Sequence, residues 1–370
     1  MQSSIIGKRN KAWQWLMGSL TNHNSLAEYF EPIIQLVLPK WRADLVRTRV
    51  HTIRHENQDM YTLVLKPSGK WQDFQAGQYI ELTVEKDGAW VSRYFSISSS
   101  PAYFARTGLI ELSIRIQDKG NITPWLPQAL HRGSIVNISQ AMGEFTLQPE
   151  HQSVCMIAGG SGITPFRAML QQLSFSQSKQ TTQSITLLHY ARSSQHFLFK
   201  EEFENFEKHH SNFHLKLMDS EMIGNVTSAH IGLQSQLNSH THFYICGPSP
   251  MIMASRKILE TLNTKPDHIH YEFFGPEPLS LDVQSEQTAV LFDRSHKQVD
   301  NNKNQTLLEL AEANQIKPVS GCRIGVCHQC ICQKKSGVVY NTKTKTYSDT
   351  GAQEIQLCIS VPVNDVVLDL

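Results

Sequence analysis

The chain has 370 residues and a formal net charge of +1 at pH 7, with 40% hydrophobic and 18% charged residues. Those values leave room for two or three folded domains and exclude a disordered, collagen-like or coiled-coil chain. The near-neutral charge, with no run of basic residues interleaved with aromatics, gives no field for gripping nucleic acid, so no nucleic-acid partner is expected. The longest apolar stretches, Ile33 to Leu38 and Val361 to Leu370, fall short of the ~20 residues that span a bilayer. The apolar positions after Lys8, Arg9 and Lys11 are broken by Gln, Gly, Ser and Asn, which is not a signal peptide and points to a cytoplasmic protein.

Residues 1–45 read as an N-terminal helical extension. It carries Trp13, Trp15, Leu16, Leu20, Tyr29, Phe30, Ile33 and Ile34, and residues 1–50 hold seven Lys or Arg against three Asp or Glu. Such a basic, Trp-bearing amphipathic segment either lies on a membrane surface or packs across the domains that follow. From about Arg47 to Pro149 the pattern becomes short alternating strands at Tyr61–Leu65, Tyr79–Val84, Arg93–Ile97, Leu109–Ile116 and Ile135–Ile138, which predicts a small antiparallel barrel. Within it lie Arg93-Tyr94-Phe95-Ser96 and Gly120-Asn121-Ile122-Thr123. An arginine on a strand can pair with a phosphate, an aromatic can cover a flavin ring, and a hydroxyl can hydrogen-bond a ring nitrogen. Tyr94 should point away from the face that Arg93 and Phe95 share.

From Ser153 the chain runs into Gly159-Gly160-Ser161-Gly162-Ile163-Thr164-Pro165 and then an apolar-periodic stretch, Phe166 to Leu173. Strand, glycine turn and helix in that order let a phosphate approach the backbone at a helix N-terminus; any tight β–α turn can also use such glycines. A strand at Ile185–Tyr190, a helix at Phe199–His209 and a strand at His242–Cys246 ending in Cys246-Gly247-Pro248 continue an α/β domain. Both glycine turns would then lie at the carboxyl edge of one parallel sheet, where ligands bind. Arg192, Ser193 and Ser194 follow the second strand and could receive a 2′-phosphate; the alternative is a surface loop arginine.

Five of the seven cysteines fall between 322 and 370. An odd count without an export signal argues for a metal or redox site rather than a disulfide framework. Cys322, Cys327 and Cys330 are spaced C-x4-C-x2-C and Cys358 follows after 27 intervening residues, the plant-type [2Fe–2S] spacing. A structural zinc site would more often pair two short hooks. Gly321 and Gly325 let backbone N–H groups turn toward anionic sulfides, a helix is expected at Thr306–Asn314, and Cys332 reads as a small buried hydrophobe rather than a competing ligand.

Taken together, these motifs, followed by Tyr271-Glu272-Phe273-Phe274-Gly275-Pro276, resemble the ferredoxin–NADP reductase superfamily over about 46–280, and 285–370 resembles a plant-type ferredoxin. The resemblance implies an α/β plus β architecture: an antiparallel six-stranded flavin-binding barrel at 46–150, a Rossmann-like nucleotide-binding domain at 151–280 and a β-grasp ferredoxin domain at 285–370. It implies that Arg93, Tyr94, Phe95, Ser96, Gly120 and Thr123 bind flavin. It gives the nicotinamide dinucleotide to Gly159, Gly160, Gly162, Thr164, Arg192, Cys246, Gly247 and Pro248, and the iron to Cys322, Cys327, Cys330 and Cys358. Ser96, Cys246, Glu272 and Phe274 would surround the reacting atoms. Two departures stand out: Phe95 replaces the family's usual Tyr, and Gln140–Phe145 lacks the Pro and second Gly usual there. A nicotinamide gives up two electrons and a [2Fe–2S] cluster takes one, so a flavin must sit between them. The domain order resembles FAD rather than FMN members, and Arg192 favours NADPH over NADH. A similar leader occurs in reductases of membrane fatty acyl desaturases, which makes such a desaturase, at the inner face of the membrane, the expected electron acceptor. The reductase of a hydroxylating mono- or dioxygenase, or a redox-sensing iron–sulfur module suggested by surplus cysteines and 17 histidines, are the alternatives. Residues 283–370 carry nine basic and nine acidic side chains, so docking should rest on apolar contact and depend weakly on salt.

Overall fold

The computed structural model describes residues 45–117, 120–175, 183–232, 237–274, 288–301, 305–321, 323, 325, 329–344 and 346–370. The expected N-terminal extension therefore lies, apart from Leu45, outside the described residues, as do Cys322, Cys327 and His328.

Six antiparallel strands, β1 (Val46–His55), β2 (Met60–Pro67), β3 (Tyr79–Lys86), β4 (Ala89–Ser96), β5 (Ile110–Arg115) and β6 (Ile135–Ile138), form one sheet in the order β4-β3-β6-β1-β2-β5. Its two edges, β4 and β5, approach each other, so the sheet curls into the expected barrel. Alternation builds its core: Leu63, Leu65, Ile80, Leu82, Leu112 and Ile138 point inward and are buried, each side chain contributing about 1.5–3 kcal/mol by leaving water. β1 was not among the expected strands. Only its first five residues alternate cleanly, with Val46, Thr48 and Val50 buried and Arg47 and Arg49 exposed, and its second half is largely exposed. In the β3–β4 register Phe95 opposes Ile80 and Arg93 opposes Leu82, while Tyr94 opposes Glu81. Tyr94 thus takes the opposite face, where its hydroxyl donates to Glu81 Oε2 at 3.2 Å.

The second sheet is parallel, with β7 (Ser153–Gly159), β8 (Ser184–Ala191), β9 (Phe213–Asp219), β10 (Thr241–Gly247) and β11 (Ile269–Phe273) ordered β11-β10-β7-β8-β9. Every residue of β7 is buried, as a strand covered on both faces requires. Val154 and Met156 join the core under the helix α1 (Ile163–Phe175), while Cys155 and Ile157 join a second core under α2 (Ser249–Thr261).

The third unit holds β12 (Thr288–Phe292), β13 (Lys297–Asn301), β14 (Ile331–Ser336), β15 (Val339–Asn341), β16 (Thr346–Tyr347), β17 (Gln353–Gln356), β18 (Ser360–Pro362) and β19 (Val366–Leu368). They form a mixed sheet β13-β12-β19-β14-β17 and a small sheet β16-β15-β18. The helix α3 (Leu307–Ala313) packs against them and starts at a capping box, in which Thr306 Oγ1 accepts from the Glu309 N–H while Glu309 accepts from the Thr306 N–H. Such a pair of bonds satisfies two otherwise orphaned helix donors.

The barrel and the nucleotide domain meet across a buried polar clasp. Arg167 of α1 donates from Nη1 to Glu111 Oε2 of β5 at 2.6 Å and to Ser98 O at 3.2 Å, and from Nε to Glu202 Oε2 at 2.8 Å. Gln171 and Gln172 of α1 accept from the Ser100 and Ala102 N–H groups. Among the described residues no helix is long and apolar enough to cross a membrane.

Candidate functional site

The glycine turn sets the site's geometry. A Cβ on Gly162 would lie 2.1 Å from Cys246 O and 2.5 Å from Gly247 N, so only glycine lets the start of α1 close against the end of β10. Gly160 has φ +53, a left-handed conformation that costs a side-chain-bearing residue strain. Thr164 Oγ1 donates to Ser161 O at 2.9 Å, tightening the first turn of α1. The turn opens on a cleft of about 290 Å³ whose lining includes Gly159, Gly160, Arg192 and Pro248. Arg192 is largely exposed there, with Nη2 3.8 Å from Asp59 Oδ2.

A second cleft, of about 650 Å³, lies between the barrel and the other two units. It brings together Arg93, Tyr94, Phe95, Ser96, Gly120, Thr123, Thr164 and Phe274, residues spread over 182 positions of sequence. Phe95 is half-buried with its ring against the barrel core. Thr123 holds the Gly120 loop together, its hydroxyl accepting from the Gln117 N–H at 2.9 Å and its carbonyl from Tyr61 Oη at 3.0 Å.

Buried polar atoms without a partner mark where a ligand belongs. Among the described residues, Ser96 Oγ and Glu272 Oε2 are both buried and have no hydrogen-bond partner. Glu272 opposes Cys246 in the β10–β11 register. Burial pushes the Glu272 carboxyl up to about 8, so it keeps its proton at neutral pH. Burial, and then the neighbouring Glu272, push the Cys246 thiol well above its usual range. Ser96, lining the larger cleft, and the Cys246–Glu272 pair, buried side by side on β10 and β11 outside the lining of either cleft, are thus neutral hydroxyl, thiol and acid groups. They fit the uncharged edge of a flavin and nicotinamide ring pair and would be poor partners for a charged substrate.

Sequence reasoning missed Arg115, at the end of β5. It lines both clefts, its Nη1 would lie 3.7 Å from a Cβ on Gly160, and among the described residues its guanidinium has no hydrogen-bond or ion-pair partner. Only a β5 that ends beside a turn 45 residues downstream brings it there, and no local pattern shows that.

The cysteine-bearing loop borders the larger cleft. Arg93 Nη1 donates to Gly321 O at 3.3 Å, and Arg323, which lines the cleft with Glu312, makes two bonds to that carboxylate at 2.6 and 2.8 Å. Arg323 (φ +61) and Gly325 (φ +70), which stand between Cys322 and Cys327 in the sequence, both have left-handed backbone conformations. Cys330 and Cys358 are 2% and 1% exposed in the same core. Cys332 is 7% exposed and packs in that core with its Sγ 3.7 Å from Gln333 O, the small buried hydrophobe expected of it.

Two clefts in series and a cysteine loop at the far end define a nicotinamide- and flavin-dependent oxidoreductase with an iron–sulfur exit. Comparison with known proteins agrees: residues 47–147 match the oxidoreductase FAD-binding domain, 156–257 the oxidoreductase NAD-binding domain and 290–363 the 2Fe-2S iron-sulfur cluster binding domain. The NADPH oxidoreductase of Mycobacterium tuberculosis is 27% identical over 91% of this chain and 87% of its own length. The NADH oxidoreductase HCR of Escherichia coli (strain K12) is 26% identical over 87% and 97%, and the glycine betaine monooxygenase reductase subunit of Pseudomonas aeruginosa 26% over 80% and 87%. The solved structure of phthalate dioxygenase reductase superposes with a TM-score of 0.59 at 20% identity, over 88% of this chain and 98% of that one. The chain belongs to the ferredoxin–NADP reductase superfamily, as a member fused to a C-terminal [2Fe–2S] ferredoxin domain. It is an NAD(P)H-dependent flavin and iron–sulfur oxidoreductase that moves electrons through FAD to a [2Fe–2S] centre.

Proposed function

We propose that this reductase draws on NADPH and delivers single electrons to a terminal oxygenase. The observation that carries the reading is the contact of Arg93 with Gly321, which sets the cysteine loop directly against the flavin cleft. FAD held by these residues would supply the conversion of a two-electron hydride into single electrons. Arg93 and the Gly120–Thr123 loop would hold its phosphates and Phe95 and Tyr94 would border its ring. Gly159, Gly160, Gly162, Thr164, Gly247 and Pro248 would seat the dinucleotide, with Arg115 between the two. Ser96 donates its unpartnered hydroxyl to the ring edge, Glu272 holds its proton beside Cys246, and Phe274 covers the cleft mouth, so the chain orients and dries the reacting pair rather than donating charge. Cys322, Cys327, Cys330 and Cys358 would carry the cluster.

Relatives named as reductases of glycine betaine monooxygenase, stachydrine N-demethylase and phthalate dioxygenase support an oxygenase acceptor. Val319, three positions before Cys322 and 76% exposed, and Tyr347, 60% exposed, offer the apolar surface such docking would use. The narrower reading, a membrane fatty acyl desaturase and peripheral membrane contact, rests on residues 1–44 alone. Arg192 supports NADPH through its place in the nucleotide cleft.

Anaerobic protein mixed with NADPH and followed by flavin absorbance and low-temperature EPR tests the relay. Flavin bleaching followed by the signal of a reduced [2Fe–2S] cluster is expected; bleaching without that signal sinks it. For the donor, Arg192→Ala should cut kcat/KM for NADPH by about tenfold or more, one charge-assisted bond, and spare NADH. Equal losses with both nucleotides would rule out a 2′-phosphate role.

A further inference from the structure

Three histidines far apart in sequence, His151, His242 and His270, meet at the starting edge of the parallel sheet, the edge opposite the clefts. His151 stands two residues before β7, and His242 and His270 are the second residues of β10 and β11. One ring nitrogen from each lies within 4.8 Å of the other two, and all three side chains are partly exposed. His242 Nδ1 and His270 Nε2 are 3.2 Å apart.

That last distance has a metal-site meaning. A tetrahedral ion bound by imidazole at 2.0–2.1 Å holds its ligand nitrogens roughly 3.3 Å apart. The His242–His270 pair, joined by a hydrogen bond, is therefore already at the ligand spacing of such an ion, which would replace the proton between the two nitrogens, and the third nitrogen would close the remaining gap by a turn of its ring. The orientation of His151 fits as well. Its Nδ1 lies 2.9 Å from Tyr244 Oη, an oxygen that also accepts the Gln148 N–H at 3.4 Å. With Nδ1–H donated to the phenol, Nε2 keeps its lone pair, the arrangement by which proteins fix the tautomer of a metal-bound imidazole. The rings of His151 and His242 stack at 3.5 Å and 8°, and His268 stacks on His242 at 4.2 Å, so an ion shared by all three would require the His151 ring to leave the stack and turn its edge toward the His242–His270 pair. The carboxylates of Glu150 and Asp267 lie close enough to act on His151 and His270 electrostatically, adding negative charge around the site.

We propose that His151, His242 and His270 bind a divalent transition-metal ion of the zinc class, with the fourth position open to water or a small anion. The preference follows from three borderline nitrogen donors and no thiol among them. The site is separate from the redox centres: His242 and Cys246 are four residues apart on one strand, about 13 Å. Its effect is mechanical. His151 belongs to the connection 139–152 between the barrel and the nucleotide domain, and an ion there ties that connection to two strands of the sheet.

The test uses untagged full-length protein with its iron–sulfur cluster intact, titrated with Co²⁺ in metal-free buffer. Stoichiometric uptake with the ligand-field bands of a four-coordinate nitrogen site is expected, together with displacement by Zn²⁺ and a higher thermal midpoint once Zn²⁺ is bound. His242→Gln should abolish both the bands and the midpoint shift. His270→Gln, on the edge strand β11, should do the same and serves if the first variant does not fold. Tyr244→Phe should weaken binding about 10–100-fold, and His268→Gln, which stacks without ligating, should leave it unchanged. Absence of cobalt bands in the wild type at millimolar Co²⁺, or bands undiminished in His270→Gln, would overturn the proposal. Intense thiolate charge-transfer bands in place of the nitrogen-site spectrum would place the ion on cysteine and overturn it equally.

Discussion

Two arginine–carboxylate pairs hold this molecule in shape at different places, and their surroundings set different worth on the same chemistry. Arg167 and Glu111, which join the nucleotide domain to the barrel, have side chains 8% and 5% exposed; Arg323 and Glu312, at the edge of the flavin cleft, are 41% and 32% exposed. Both have contacts of 2.6 Å. The first pair is dry and shares its charges with Glu202, Ser98 O and the ring of Phe199, 4.3 Å beneath the guanidinium. The second is wet, where solvent screens most of the Coulomb energy. The difference matches what each place must do. Hydride transfer needs the nicotinamide and flavin held to fractions of an ångström, so the barrel and nucleotide domain are locked. A single electron leaving for a partner demands less, and the described residues of the cluster loop are held by side-chain contacts from Arg93 to Gly321 O and from Lys343 to Gly325 O and by an exposed ion pair.

The largest expected effect separates the two halves outright. Cys358→Ser removes a buried thiol of the ferredoxin core, proposed above as a cluster ligand, and should abolish the EPR signal of the reduced cluster and all transfer to a one-electron acceptor. NAD(P)H should still bleach the flavin, because the smaller cleft lies wholly in the other two units and the ferredoxin unit lines the larger one only with Glu312 and Arg323. Loss of flavin reduction in the same variant would show that the halves are not separable in this way.

Next in size is a pH effect confined to the locked half. Burial holds the Glu272 carboxyl at about 8 in the folded protein against its ordinary 4.5. Below about 4.5 both folded and unfolded chains carry the proton; between 4.5 and 8 only the folded one does, so stability falls as pH rises through that window. At ~1.4 kcal/mol per unit the whole window amounts to roughly 5 kcal/mol. Glu272→Gln should flatten that slope in flavin-free protein, read as the thermal midpoint from about pH 5 to 8. Glu111 acts in the opposite sense. Burial alone would raise its carboxyl, but the Arg167 guanidinium, at hydrogen-bond distance, wins and lowers it below 4.5. Its contribution is present above 4.5 and is lost as pH falls through the lowered value.

How much of this was legible in the sequence follows the same division. The glycine turn at 159–162 and the cysteine spacing at 322–358 are local patterns imposed by chemistry that needs several groups within a few residues. They announced the fold and both ends of the relay. The strands matched wherever alternation persisted, as in β2 and β3, and β1 was overlooked because its pattern fades after Val50. Arg115, the Arg167 clasp and the histidine cluster were not legible. Arg167 is the single charged residue of its helix, and its partner Glu111 lies 56 positions away. His151, His242 and His270 acquire a common meaning only when the parallel sheet sets three strand starts side by side.

Removing one charge from each pair turns the comparison into a measurement. Arg167→Met leaves Glu111 buried without its main partner, and such half-broken buried pairs cost about 3–5 kcal/mol. The thermal midpoint should drop and flavin reduction by NAD(P)H should slow, because the joint that aligns the two clefts loosens. Glu312→Gln keeps the side-chain shape and removes only charge, in a setting where exposed pairs contribute ~0.2–1 kcal/mol. Its midpoint should barely move and its flavin should be reduced at the wild-type rate. What should change is the later step. Without the carboxylate, Arg323 is released from the two bonds that hold the loop next to Cys322 at the cleft, and transfer from flavin to cluster, read by stopped-flow absorbance, should slow. Equal stability losses in the two variants would mean that burial does not distinguish the joints. A Glu312→Gln protein with unchanged flavin-to-cluster transfer would mean that the Arg93–Gly321 and Lys343–Gly325 contacts hold the loop in place by themselves.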